Sequence, residues 1–208
     1  LHFQAYGLPF GQGIAGGLSL VSPHASLTES APGAREMTET ELRDLAVSIS
    51  TACTLRGEFL LRSGTTTDHY FDKYQFEARP DLLRPLASRL GELLPPQTEI
   101  LAGLELGGIP LATAVSLHTG LSTTFVRKHA KAYGTQKAIE GPSVDGKRVT
   151  VIEDVVTTGG QIIESVAMLR KEGAIVDHVV CAIWRGSDLT PLRDAGLTMI
   201  WAFSASDL

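Results

Sequence analysis

Residues 151–161 read VIEDVVTTGGQ and carry the densest chemistry in the chain. An apolar run, 148–152, leads into two adjacent acids, Glu153 and Asp154. Val155 and Val156 follow, then Thr157, Thr158, Gly159, Gly160 and Gln161, then a stretch with helical apolar spacing. A glycine-bearing turn between strand and helix aims backbone N–H groups, and here two hydroxyls, at one point by the positive end of the helix. Glycine lets the backbone close around an anion where a Cβ would clash. The segment reads as a phosphate cradle. It is not a Walker A loop, because the closing Lys-Ser/Thr is absent, and it is not a GxGxxG turn. Carboxylates next to a phosphate repel it unless they address another part of the ligand. Ribose 2′ and 3′ hydroxyls are such a part, since a carboxylate accepts hydrogen bonds from both. The expectation is a ribose 5-phosphate site, against the plainer alternative of a solvated strand end and an ordinary turn.

A second concentration is basic. Arg127, Lys128, Lys131 and Lys137 place four of the eighteen Lys and Arg residues within eleven positions of a chain whose net charge is −5. Tyr133-Gly134 and the long polar stretch around them predict a mobile lid. Cations there would stabilise negative charge building on a leaving group. A solvated charged loop or a small nucleic-acid patch is the alternative. Arg185, just past a predicted strand, can grip a carboxylate with two parallel hydrogen bonds, or can simply be a surface arginine. Tyr70 and Phe71 can flank a planar ring or pack into a core.

Taken together, VIEDVVTTGGQ resembles the signature of the type I phosphoribosyltransferases, which bind phosphoribosyl pyrophosphate (PRPP). The resemblance implies an α/β fold: a central, mostly parallel sheet flanked by helices, with a small hood from the N- and C-terminal parts over the base site. It also implies Mg²⁺ carried with PRPP rather than held by an assigned protein ligand set. Arg127-Lys128-His129-Ala130-Lys131-Ala132-Tyr133-Gly134, continuing to Ile139-Glu140-Gly141, resembles the catalytic loop of the orotate phosphoribosyltransferases. Phe59-Leu60-Leu61-Arg62-Ser63-Gly64 and Tyr70-Phe71-Asp72 resemble that family's FxLxSG segment and orotate-side strand, and Trp184-Arg185-Gly186 stands where its orotate-binding arginine does.

The implied activity is transfer of the phosphoribosyl group from PRPP to orotate, giving orotidine 5′-monophosphate and pyrophosphate. By the same resemblance Lys131, Glu153 and Asp154 carry catalysis. PRPP is held by Arg62, Arg127, Lys128, Lys131, Tyr133 and the run from Glu153 to Gln161, and orotate by Tyr70, Phe71, Thr157 and Arg185. A homodimer with shared active sites is implied as well. Three positions depart from the pattern. Arg62 stands where some members have Lys, and Leu106-Gly107 where some have a Tyr-Lys pair, which removes a pyrophosphate-binding lysine and leaves backbone amides of Gly107 and Gly108 as substitutes. Tyr133 stands where some place His. Two other readings are a purine or xanthine phosphoribosyltransferase, which should lack the Tyr70-Phe71 and Arg185 side, and a PRPP-sensing regulator or nucleic-acid binder, which needs a basic face not found outside the lid.

The elements that position these residues follow from periodicity. Thr38 and Glu41 form a predicted capping box, with Leu42, Leu45, Ala46, Ile49 and Cys53 on one helical face and Gly57 ending the helix region. Strands are predicted at 58–62 and around His69-Tyr70-Phe71, with 63–68 as a turn. A helix over 81–94 needs Pro85 in its first turn. Strands at 99–104, 123–126, 148–152, 175–184 and 197–203 then alternate with helices at 109–118, 159–172 and 189–195. That alternation of short Val/Ile/Leu strands with helices predicts a sheet covered on both faces, with ligands beyond the carboxyl ends of its strands.

Composition bounds the rest. With 208 residues, 43% hydrophobic and 20% charged, the chain reads as globular. Its acidic balance argues against general affinity for nucleic acid or anionic lipid, and no apolar run approaches the roughly 20 residues of a membrane helix. Cys53 and Cys181 form no CxxC pair, which favours buried thiols and a reducing cytoplasm. Residues 1–36, rich in Gly, Ser, Pro and Ala without a sustained period, read as a vector-derived leader or a natural extension, and 37–208 as a single domain.

Overall fold

The computed structural model describes residues 36–60, 64–128 and 138–208. The chain opens with helix α1 (Glu39–Cys53), whose Thr38 and Glu41 make the reciprocal capping box, and which buries Leu45, Ala46, Ile49 and Cys53. Gly57 does not end this helix. Strand β1 (Thr54–Leu60) starts directly after Cys53 and pairs antiparallel with β2 (Thr66–Phe71) as a separate two-stranded sheet. The first strand thus begins four residues before the predicted one, and the second begins inside the predicted turn. A four-residue helix, α2 (Tyr74–Glu77), follows.

Helix α3 (Pro80–Glu92) starts with Pro80 at its first turn, and Pro85 lies inside it, against expectation. A proline there forgoes one intrahelical bond, a loss offset by burying Leu82, Leu86, Ala87 and Leu90. The remaining elements are β3 (Ile100–Leu104), α4 (Gly108–Thr119), β4 (Ser122–Val126), β5 (Ile139–Glu140), β6 (Arg148–Val156), α5 (Gly160–Lys171), β7 (Ile175–Trp184), α6 (Thr190–Asp194) and β8 (Thr198–Ser204).

Six strands form one sheet in the order β5-β4-β3-β6-β7-β8, parallel except for the β4–β5 pair. Alternate sheet residues point to opposite faces, and each face carries a core. One gathers Val149, Val151, Val166, Leu169 and Leu192 under α5 and α6. The other gathers Ile49, Leu86, Leu90, Leu111 and Ile152 under α1, α3 and α4. All five residues of β3 are buried, as a strand covered on both sides requires. Both cysteines are free and buried, and burial pushes the Cys53 thiol up to about 11. No helix among the described residues is long and apolar enough to cross a membrane.

The topology fixes where a ligand can enter. From β3 the chain crosses through α4 to β4 on one side, whereas from β6 it crosses through α5 to β7 on the other. The order reverses between β3 and β6, and the two crossovers diverge at the strands' carboxyl ends. A crevice opens there, at the switch point of an open α/β sheet.

Candidate active site

Strand β6 outlasts its partner on the crevice side. Its last pair with β3 is Gly103 with Ile152, while pairing with β7 continues to Val156 with Trp184. Glu153 and Asp154 are therefore strand residues, three and two positions before the end of β6 at Val156, and not the start of a loop. Adjacent strand residues leave the backbone in opposite directions, yet the two carboxyls stay close enough to interact. Glu153 lines a cleft of about 380 Å³ together with Lys73, Tyr74, Glu105, Leu106, Lys128 and Gln161. Asp154 is fully buried behind it. One Asp154 oxygen accepts from the Val155 N–H, and the other is ion-paired with Lys73.

Lys73 and Glu77 were not among the expected site residues, and both belong to this cluster. Lys73 sits between β2 and α2 with its side chain 32% exposed and its ammonium 5.5 Å from the Tyr74 ring centroid. Glu77 ends α2 at 7% exposure. Burial first, then contact with Asp154 and its charge, push the Glu77 carboxyl up to about 8. Burial and the Asp154 charge likewise hold Glu153 well above the usual carboxylate range. Burial works against the Lys73 charge, but the bond to Asp154 and the charges of Asp154, Glu153 and Glu77 outweigh it, so its pKa is raised. Glu77 Oε1 and Glu153 Oε2 have no donor facing them. Protonation supplies the missing donor, and the arrangement is one Asp154–Lys73 ion pair flanked by two carboxyls held towards their neutral form.

The glycines follow from this crowding. A Cβ on Gly107 would run into the Asp154 carboxylate and Glu77 Oε1, and one on Gly108 into the Ile152 carbonyl and the Glu153 carboxylate. The Gly107-Gly108 turn is thus what lets α4 begin against the acids. On the other side of the crevice, Gly159 adopts φ +77° and a Cβ there would lie 2.8 Å from Leu192 Cδ2. This left-handed residue turns the chain from β6 into α5, leaving Thr157, Thr158 and Gly160 exposed at the helix N-terminus. Glu105 ties the rim together. Its N–H donates to the Val126 carbonyl at 2.9 Å, its carboxylate accepts from the Lys128 N–H at 2.9 Å, and its carbonyl accepts from Gln161 Nε2 at 2.8 Å.

A smaller pocket of about 130 Å³ lies beside the two-stranded sheet and brings together Tyr70, Phe71 and Arg185 with His69, Ser50 and Thr54. The Arg185 guanidinium stands 4.9 Å from the Phe71 ring centroid, and its backbone N–H donates to the Val156 carbonyl at 2.8 Å. Tyr70 is half exposed and stacks on Phe59 with ring centroids 5.6 Å apart. Arg127 does not line the cleft; its backbone N–H donates to the Ala138 carbonyl and its Nε is buried without a partner. Arg62, Lys131 and Tyr133 lie outside the described residues. Lys73 follows immediately on the Tyr70-Phe71-Asp72 run, but only its contact with a residue 81 positions away, Asp154, marks it.

Comparison with known proteins agrees with this geometry. The family model described as a phosphoribosyl transferase domain matches residues 75–202. The orotate phosphoribosyltransferase of a Nocardioides species is 54% identical over 154 residues, spanning 74% of this chain and 86% of that one. Among solved structures, a Mycobacterium tuberculosis orotate phosphoribosyltransferase in complex with Fe(III) dicitrate aligns with TM-score 0.73 and 29% identity, covering 80% of this chain and 97% of that one. The same enzyme's complex with PRPP aligns at TM-score 0.68 and 26% identity, covering 80% and 97%. A domain match over more than half of the chain, a crevice at the matching strand ends and this relative together place the protein in the orotate phosphoribosyltransferase family of the phosphoribosyltransferases.

Proposed function

We propose that the protein transfers the 5-phosphoribosyl group of PRPP to orotate, releasing pyrophosphate and giving orotidine 5′-monophosphate for pyrimidine synthesis. The observation that carries this reading is the placement of the Thr157–Thr158–Gly159–Gly160 turn and Glu153 on one crevice, with the pocket of Tyr70, Phe71 and Arg185 at the same end of the sheet. In it, the turn holds the 5′-phosphate on backbone amides and hydroxyls of α5's N-terminus. Glu153 accepts from the ribose hydroxyls, and Asp154 supports it from behind while fixing Lys73. Arg185 grips the orotate carboxylate, with Phe71 and Tyr70 flanking the ring and Thr157 at its edge. Orotate N1 bonds to the anomeric carbon as the C1′–O bond to pyrophosphate breaks, and no covalent link to the protein is needed. Arg62, Arg127, Lys128, Lys131 and Tyr133 serve the pyrophosphate side, where charge builds in the transition state.

Mg²⁺ belongs to this reading as PRPP's companion. Among the described residues no cluster of three His, Cys, Asp or Glu side chains is arranged to hold a metal directly. Mg²⁺ keeps much of its water shell, and Glu153, which lines the cleft, is the acid placed to meet those waters. When bound, the ion neutralises pyrophosphate charge. A homodimer with sites shared between subunits and a cytoplasmic location complete the proposal.

The test is to add orotate, uracil, adenine and xanthine separately to the protein with PRPP and Mg²⁺ and to follow pyrophosphate release. Release with orotate alone is expected. Release with a purine instead would transfer the protein to the purine branch of the fold, and none with any base would make it a PRPP-binding regulator.

A further inference from the structure

The Lys73 side chain stands out among the groups that the proposed reaction does not yet use. It is the one described cation that both lines the 380 Å³ cleft through its side chain and is anchored to the acid pair's buried member. Lys128, the other cation on that cleft, is held there by its backbone N–H, bonded to the Glu105 carboxylate. Lys73 is different in kind. Its side chain is about two-thirds covered, and Asp154, with 0% exposure, has no other cation as an ion-pair partner among the described residues.

An ammonium has three donors in tetrahedral array. The Asp154 carboxylate takes one, the side chain remains one-third exposed on the cleft side, and no further hydrogen-bond acceptor takes the others among the described residues. Glu153, on the same cleft, marks where ribose hydroxyls would lie. A cation one residue's reach from that carboxylate lies beside whatever is attached to the ribose. For PRPP this is the C1′ diphosphate, and Asp154 already holds the lysine in place in the free protein. Three carboxyls converge there, and Lys73, ion-paired with Asp154, is the cation that faces them.

Resting on the phosphoribosyl-transfer reading, we propose that Lys73 is a substrate-binding cation that bridges Asp154 and the pyrophosphate portion of PRPP, coupling the ribose end of the site to the leaving group. The Gly107-Gly108 turn contributes the room. With no side chain at position 107, nothing intervenes between the start of α4 and the Asp154–Lys73 pair. The competing role is structural, in which Lys73 only neutralises the buried acids.

Two ligands separate these roles: inorganic pyrophosphate with Mg²⁺, and ribose 5-phosphate, which occupies the phosphate turn and the acids without a diphosphate. Calorimetric titration of the full chain and of Lys73→Gln, whose amide still donates to Asp154 but carries no charge, gives the comparison. Loss of one charge-assisted contact predicts pyrophosphate binding weaker by roughly 10- to 100-fold, with ribose 5-phosphate binding altered by no more than about twofold. Lys73→Arg should restore part of the pyrophosphate affinity, which a role limited to packing would not. Unchanged pyrophosphate affinity, or equal weakening of both ligands, would overturn the proposal. Should Lys73→Gln fail to fold, Lys73→Arg against the unmodified chain makes the same ligand comparison, and an altered pyrophosphate affinity with unaltered ribose 5-phosphate affinity is the supporting result; no difference in either overturns it. Turnover of orotate by the unmodified chain is measured alongside. Its absence would defeat the phosphoribosyl-transfer reading, while the pyrophosphate comparison still decides Lys73.

Discussion

At the scale of single residues, the buried acids make the protein's stability depend on pH with a definite sign. Glu77 has its carboxyl pushed from 4.5 to about 8 by burial and by Asp154. Between those values the folded chain holds a proton that the unfolded chain has released, so stability falls as pH rises through this window. Glu153, also raised, adds to the same trend. Lys73, raised above 10.5, contributes stability that persists throughout this window and is lost only above it. Glu77→Gln fixes the neutral form, and the loss of stability between about pH 5 and pH 8, on the order of a few kcal/mol, should shrink. Urea unfolding of both proteins at the two pH values measures it. Equal slopes would show that Glu77 is not the proton's holder. None of this was legible in the sequence. Lys73 and Glu77 lie on a turn and a four-residue helix without a period to read, and their meaning comes from a partner 81 and 77 positions away. The phosphate turn was legible because its glycines, hydroxyls and acids are contiguous, so local chemistry alone identifies it.

At the scale of elements, the β6–α5 junction does the positioning, and its two glycines should behave differently. Gly159 has φ +77° and no room for a Cβ against Leu192, whereas Gly160 begins the helix with open space around it. Gly159→Ala should cost about 1–3 kcal/mol from backbone strain alone, and should also weaken ribose 5-phosphate binding because the turn no longer closes. Gly160→Ala should leave stability within about 0.5 kcal/mol, or raise it through better helix propensity. Denaturant midpoints of the two variants test the contrast, and similar losses in both would refute it. The same junction explains where periodicity misled. Residues 153–156 join β6 because Val155 and Val156 pair with Ile183 and Trp184, a long-range constraint that overrides two adjacent acids. Likewise β1 runs past Gly57, which sits at an irregularity between the Arg56–His69 and Phe59–Thr67 pairs with β2, whereas the capping box that starts α1 is entirely local and legible.

At the scale of the whole molecule, the sheet's strand order sends α4 and α5 to opposite faces and leaves one crevice, and the two-stranded sheet brings Tyr70 and Phe71 towards that end. Fold class was readable from alternation because parallel strands need covered faces. The crevice's contents were readable only in part, because the sheet order that brings residue 73 to residue 154 is not written in any local pattern. The proposed subunit sharing extends the reasoning to an assembly. If Lys131 reaches the neighbouring subunit's cleft, Lys131→Ala and Asp154→Asn damage different halves of one composite site. A hybrid dimer then holds one site with an intact acid cluster and an intact basic segment, and one site with both damaged. Random exchange at equal amounts makes half the dimers hybrid, each with one working site of two, so recovery should approach about a quarter of unmodified activity. Each variant alone should be poorly active, and recovery should grow with the time allowed for subunits to exchange. Mixing differently tagged variants and isolating the doubly tagged species makes the measurement direct. Doubly tagged dimers with no more activity than either parent would confine Lys131 to its own subunit's reaction, and each cleft would then be complete within a single chain.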